Sequence, residues 1–180
     1  MVLSRGTIDG VCERSGADVA IINPDDGYIL GGRRDALVTA SQEARSFNPR
    51  RISLLPVKVA SHTRLLRVAS QKFGDVLRAV QLPHATPADI RLLSGIDATS
   101  VADTASGVAK LSAQISQTVL WADCLQSCVE AGATSFLELG PGSALSQMVI
   151  ATYPSLESRS LEDFRSIEGV RDWLSRTGFD

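Results

Sequence analysis

The chain reads as an α/β protein: a complete ferredoxin-like (βαββαβ) subdomain over residues 1–57, then strands and helices in alternation. Three observations carry this. Short β-type and helical runs over residues 1–57 follow the order β-α-β-β-α-β. The run Asn23-Pro24-Asp25-Asp26-Gly27 is strong turn chemistry between two apolar runs, so that pair reads as a hairpin. From residue 58 to about 155 helical and strand-like runs alternate, as in a parallel sheet covered by helices. Three segments follow: 1–57, 58–155, and a tail over 156–180 holding a short amphipathic helix.

Taken in order, residues 1–4 suggest a short strand. Thr7 caps a helix through Arg14 with Ile8, Val11 and Cys12 on one side, ending at Gly16. Residues 18–22 and 28–30 are the hairpin strands. Residues 35–47 are helical, with Leu37, Val38, Ala40, Ala44 and Phe47 available for burial, and Asn48-Pro49 stops them. Residues 52–57 complete the lobe as its last strand. A helix then runs from His62 to about Val80, with Leu65, Leu66, Ala69, Phe73, Val76, Leu77 and Val80 facing inward. His84 falls in a loop between Pro83 and Pro87. Residues 90–96 suggest a strand, and Asp103 or Thr104 opens a helix ending near Gln114. After Ser116-Gln117-Thr118 comes a helix from Trp121 to Gly132. Residues 135–139 form a strand, Gly140-Pro141-Gly142 a tight turn, and residues 143–152 a helix. In the tail, Ile167, Val170, Trp173 and Leu174 share one helical face.

Composition narrows the function. With 180 residues, 44% hydrophobic and 21% charged, the chain is long enough to bury a sizeable core. A net charge of −2 implies no broad electrostatic footprint for nucleic acid. No apolar run is long enough to span a bilayer and no signal peptide opens the sequence, so a cytoplasmic protein with no membrane partner is expected. Cys124 and Cys128 lie on one helical face with Trp121, Leu125 and Val129, and lack the spacing of a zinc site. They read as core filler, as does Cys12, so no metal is expected.

The run LLPVKVASH, residues 54–62, is where chemistry is most concentrated. An apolar strand breaks at Ala60-Ser61, and His62 sits where the long helix starts, with Ser61 placed to cap it. A histidine at such a junction is positioned to accept a proton; its plain structural reading is a residue that only lines the junction. Ser61 beside it is rejected as a nucleophile. Adjacent side chains diverge, and a hydrolytic serine occupies a Gly-x-Ser-x-Gly elbow that these residues lack. The Gly140–Ser143 run, GPGS, suggests an anion-binding turn, but lacks the third glycine of a dinucleotide fingerprint and the lysine of a P-loop. A tight turn allowing close helix packing is the favoured reading.

Three strings in order, PVKVASH, QISQTVLW (114–121) and FLELGPGSAL (136–145), together resemble the C-terminal half of malonyl-CoA:acyl-carrier-protein transacylases. INPDDGYILGG (22–32) resembles the hairpin of that family's small ferredoxin-like subdomain, and the tail LEDFRSIEGVRDWL is most like the malonate decarboxylase epsilon subunit. The resemblance implies that residues 58–155 are the C-terminal part of an α/β-hydrolase-like acyltransferase core. It also implies ping-pong malonyl transfer from malonyl-CoA, through a seryl acyl-enzyme, to a carrier thiol. No cofactor is implied, the thiol being supplied by an acyl-carrier protein or the malonate decarboxylase carrier subunit.

By the same resemblance His62 matches the catalytic histidine, and the turn at Gln114 matches the segment whose carbonyl accepts the other ring N–H. Asn23 matches a hairpin residue near the cleft and, with Ser61, is the expected substrate-binding pair. The family's serine elbow, oxyanion-hole residues and carboxylate-binding arginine match nothing in these 180 residues. The chain is therefore expected to be a truncated product or half of a split enzyme, inactive alone and partnered by its missing N-terminal half. Two other readings stand beside this one: a non-catalytic ferredoxin-like ligand-binding or regulatory module, and a transacylase of fatty-acid synthesis.

Overall fold

The computed structural model describes residues 3–80 and 90–178. His84 lies outside the described residues, as do Met1 and Val2 of the first expected strand. Two compact units, Met1–Cys124 and Leu125–Asp180, part within a helix rather than after residues 57 and 155.

The first unit opens with α1 (Arg5–Ser15). Ser4, not Thr7, caps it, its hydroxyl accepting the Thr7 N–H at 3.3 Å. Gly16, at φ 78°, ends it by donating its N–H to the Cys12 carbonyl. Strands β1 (Asp18–Asn23) and β2 (Gly27–Gly31) form the expected hairpin, with Asn23 opposite Gly27 and Asp25 and Asp26 both at positive φ in the turn. Helix α2 (Arg34–Arg45) follows. Ile8, Val11, Cys12, Ala17, Val19, Ala40 and Ala44 form the core here, with Leu37 and Phe47 against it, while Val38 is exposed.

Among the described residues the two flanking strands of a complete βαββαβ lobe do not appear. Leu3 and Ser4 are not in a strand, and residues 52–57 are irregular and exposed, Leu54 at 78% and Val57 at 65%. A strand gains its backbone hydrogen bonds only from a neighbour, and no described strand pairs with these residues. The third strand comes from elsewhere. β3 (Val119–Leu120) pairs in parallel with Ile21 and Ile22 of β1, giving the order β2-β1-β3. The expected strand over 90–96 reduces to one bridge, Leu93 with Ser100.

Helix α3 (Arg67–Ala79) follows a 3-10 turn, Arg64–Leu66, and α4 (Thr104–Gln114) starts at Asp103 in a capping box with Ser106. α3 does not bury the predicted stripe. Leu65, Val76 and Val80 are exposed, and its buried positions are Ser70 and Gly74, which pack on α4. Small residues let two helices approach closely enough to make a polar contact, and that contact sets which face turns inward.

The unit boundary falls in α5 (Trp121–Glu130), on which Cys124 is buried and Cys128 half-buried. In the second unit β4 (Ser135–Glu138) pairs in parallel with β5 (Glu157–Ser160) across α6 (Ala144–Thr152), and α7 (Ile167–Arg176) follows. α7 buries Val170 and Trp173, whose indole N–H donates to Glu157 at 3.1 Å; Ile167, expected on that face, is exposed. No helix among the described residues is long and apolar enough to cross a membrane.

Candidate active site

His62 is not in a helix. Its φ is +61°, the left-handed region that costs a β-carbon residue roughly 1–3 kcal/mol. Helix initiation moves past it. Thr63 is the N-cap of the 3-10 turn, and Asp18 at the start of β1, rather than Ser61, accepts the Arg64 N–H at 3.0 Å. Three hydrogen bonds offset the strain. The His62 N–H donates to the Ile115 carbonyl at 2.9 Å, its Nδ1 lies 2.6 Å from the Gln114 carbonyl, and the Thr63 hydroxyl closes the turn onto the Ala60 carbonyl at 2.7 Å.

The partner of Nδ1 settles the tautomer. A carbonyl oxygen only accepts, so Nδ1 carries the hydrogen and, in the neutral ring, Nε2 holds the free lone pair. Gln114 is the last residue of α4, so the ring meets the negative pole of that helix. The sequence expectation had put His62 at the opposite, N-terminal pole of α3.

His62 lines an open cleft of about 750 Å³ within the first unit. Arg5, Asp9, Cys12 and Glu13 of α1 border it, with Asp18 and Val19 of β1, Thr63 and Arg64, Ile96, and residues 116–118 and Leu120. Arg64 is held by Asp18 (3.3 Å) and the Gly16 carbonyl, and Arg5 by Asp9 (2.8 Å). Burial first, then the carboxylates of Asp9 and Asp18, pushes the Cys12 thiol up to about 11. No reactive thiolate is set up there.

The four residues singled out in the sequence are thus sorted. His62 and Gln114, 52 positions apart, are bonded to each other. Gln114 takes part through its backbone carbonyl, while its side chain packs on Gly95. Ser61 is half-buried and does not line the cleft. Asn23 ends β1, five residues beyond cleft-lining Asp18, or about 16 Å along an extended strand. The sequence reading missed Asp18, Arg64 and Thr63; a carboxylate at the head of an apolar strand was the one available signal. In the second unit GPGS is a bend rather than a tight turn, and a β-carbon at Gly140 or Gly142 would meet open space, so close helix packing does not explain the glycines; Gly142, at φ 86°, serves the left-handed backbone there. Glu138 accepts the Ser146 N–H at 2.8 Å, so the chain's own carboxylate occupies the α6 N-terminus.

A mixed α/β fold in which a backbone carbonyl orients a histidine that lines a cleft suits general-base chemistry. The comparisons bear on the family. The chain superposes on a malonyl-CoA:acyl carrier protein transacylase from Xanthomonas oryzae pv. oryzae with TM-score 0.86, at 24% identity, covering 97% of this chain and 55% of that one. It matches equally well, TM-score 0.86 at 19% identity, a malonyl-transacylase solved in complex with its type II PKS acyl-carrier protein, over 97% of this chain and 56% of that one. Among sequences, the malonyl CoA-acyl carrier protein transacylase of Bacillus subtilis is 26% identical over 150 residues, 83% of this chain and 46% of its own length. That of Synechocystis is 29% identical over 150 residues, 81% of this chain and 48% of its own. No protein-family model matches. The chain is a homologue of the malonyl-CoA:acyl-carrier-protein transacylases, and it spans about half the length of the curated relatives it matches.

Proposed function

We propose that this chain supplies the general base of a malonyl-CoA:acyl-carrier-protein transacylase, with His62 as that base and the nucleophilic serine on polypeptide outside these 180 residues. The observation that carries the reading is the 2.6 Å contact between Nδ1 and the Gln114 carbonyl beside an open cleft. Nε2 takes the serine proton as the serine oxygen attacks the thioester carbonyl. The imidazolium that forms keeps its Nδ1–H on Gln114 at the negative end of α4, then returns the proton to the departing CoA thiolate. In the second half the carrier thiol gives its proton to Nε2, its sulfur attacks the seryl ester, and the proton goes back to the serine oxygen.

Charge distribution supports a phosphate-bearing donor and a carrier as partners. Residues 50–91 hold eight Lys or Arg against two Asp or Glu, and all eight are exposed, a local excess that the net charge of −2 conceals. For residues 1–57 we keep the ferredoxin-like reading of the central α1-β1-β2-α2 part, with the flanking strands paired only in the complete enzyme. The names of the relatives favour a general transacylase over the malonate decarboxylase branch. Asn23, far along β1 from the cleft, is left out of the proposed substrate contacts, and Ser61 contributes backbone next to His62.

The test is genetic and then kinetic. Translating the DNA upstream of the Met1 codon gives an in-frame Gly-x-Ser-x-Gly if the reading is right. A stop codon with no acyltransferase half nearby supports a non-catalytic module instead. In the complete enzyme, His62→Ala lowers malonyl transfer by roughly 10²–10⁴-fold; unchanged turnover refutes the assignment.

A further inference from the structure

The last four carbonyls of a helix lack their regular helical partner, so the end of α4 offers acceptors that the cap residues fill only in part. Residues 62–70 bring donors to that end in three places. His62 donates its N–H to Ile115 and its ring N–H to Gln114, and Ser70 donates its hydroxyl to Ser112 at 2.7 Å. The first two belong to the site already described. The third has no role in it so far and is the most protected: Ser70 and Ser112 are 8% and 7% exposed. The Ser112 carbonyl also accepts the Ile115 N–H, at a longer 3.3 Å, and the Ser112 hydroxyl donates to the Val108 carbonyl at 2.6 Å, so the hydroxyl of Ser70 makes the shorter of the two bonds to the Ser112 carbonyl. One turn along α3, Gly74 stands where a β-carbon would meet the Ser112 hydroxyl at 3.1 Å and its Cβ at 3.3 Å.

We propose that Ser70 is a positioning residue for His62: its buried hydrogen bond to Ser112 sets the end of α4 at the distance from which Gln114 accepts the imidazole proton. Gly74 is the companion small residue that lets α3 and α4 close to that distance. The reasoning is geometric. Gln114 and His62 are far apart in sequence, so the covalent chain alone does not hold a 2.6 Å contact. A hydrogen bond loses strength over a few tenths of an ångström, so the helix end must be fixed to within that tolerance. The Ser70 bond acts two residues before Gln114 on the same rigid helix, from the first turn of the helix that His62 leads into. Water does not substitute for it at a buried position, whereas an exposed bond would be replaced at little cost. The functional meaning rests on the proposed role of His62; the mechanical claim does not.

Nitrogen-15 NMR of the histidine-labelled 180-residue chain tests it, with His62 assigned by comparison with His62→Gln. The parent shows the Nδ1–H tautomer with a slowly exchanging ring proton. Ser70→Ala speeds that exchange roughly fivefold, the loss of about one ordinary hydrogen bond, and admits the Nε2–H tautomer. Ser70→Thr, which keeps the hydroxyl, restores the parent signature, and Gly74→Ala shifts it in the same direction as Ser70→Ala. Where Ser70→Ala does not fold, Ser70→Cys, with its weaker donor, is read in its place. A folded Ser70→Ala chain with lowered melting temperature but the parent's tautomer and exchange rate overturns the proposal and leaves Ser70 merely structural. Activity plays no part in this readout. A complete enzyme indifferent to His62→Ala sinks the proposed function while leaving the positioning result in place.

Discussion

Gly31 and Thr63 meet directly behind the histidine, and a double-substitution cycle tests whether that contact holds the His62 turn. Gly31 is buried at the end of β2, and a β-carbon built on it lies 2.5 Å from Thr63 Cγ2, with Ala20 Cβ and the Ser61 carbonyl at 3.5 Å. Carbon atoms settle about 3.5–4.0 Å apart, so Gly31→Ala forces a movement of roughly 1 Å. Thr63 has little freedom to give way. It is 1% exposed, β-branched, and held by its hydroxyl on the Ala60 carbonyl at 2.7 Å. Rotating Cγ2 aside breaks that bond, so the substitution costs about 1–3 kcal/mol and drags the neighbouring His62 with it. Thr63→Ser removes the offending methyl and keeps the hydroxyl, at about 1 kcal/mol for one buried carbon. With Cγ2 gone, the alanine at 31 meets only ordinary contacts, and its stiffening of the unfolded chain contributes about 0.4–1 kcal/mol in its favour. The double variant should therefore be no less stable than Thr63→Ser alone, a coupling of about 1–3 kcal/mol. Urea unfolding of the four proteins measures it, provided the slopes agree. Additivity to within about 0.5 kcal/mol refutes the contact argument.

Three further outcomes follow from the same coordinates. Because Gln114 acts through its backbone, Gln114→Ala in the complete enzyme should retain turnover to within about tenfold, far from the His62→Ala loss; an equal collapse assigns the role to the side-chain amide. Asp97 is raised by burial, but hydrogen bonds from Lys110, Thr99 and Ser94 outweigh this and bring its carboxyl down to about 2. A depressed carboxyl stabilises the fold above its ordinary value and loses that contribution as pH falls from 3.8 to about 2, so Lys110→Gln should flatten the dependence of the melting temperature on pH in that window; an unchanged slope refutes it. Cys12, with its thiol at about 11, should resist iodoacetamide at pH 8 in the folded chain and react once it is unfolded. Stability should also fall as pH climbs from 9.0 towards 11, and labelling at equal rates in both states would contradict the burial that causes the shift.

What could be read from the residues was what is decided locally. The Asn23–Gly27 turn, the start of α4 at Asp103 and the stop of α1 at Gly16 each depend on neighbours a few positions away, and each is found. Strands obey a different rule, since their hydrogen bonds come from distant segments. Residues 52–57 have strand composition and no strand, whereas β3, two residues long, forms because Ile21 and Ile22 lie beside it. The apolar stripe of α3 misled for a related reason: periodicity says which residues share a face, not which face finds a partner. The site shows both limits at once. Nothing in local sequence announces that His62 adopts a left-handed conformation, because the three bonds that offset its strain include two from residues 114 and 115. Family resemblance paired His62 with Gln114 where spacing could not. The reason is physical: the bond joins a backbone carbonyl to a ring, and almost any side chain at 114 would leave that carbonyl in place. Conversely, nothing in its neighbours marks Ser70, although a small hydroxyl residue placed a turn from a glycine is what a close polar helix crossing requires. A sequence reading that asked of each such serine which distant carbonyl it satisfies would have reached the far end of α4, and with it the support of the histidine.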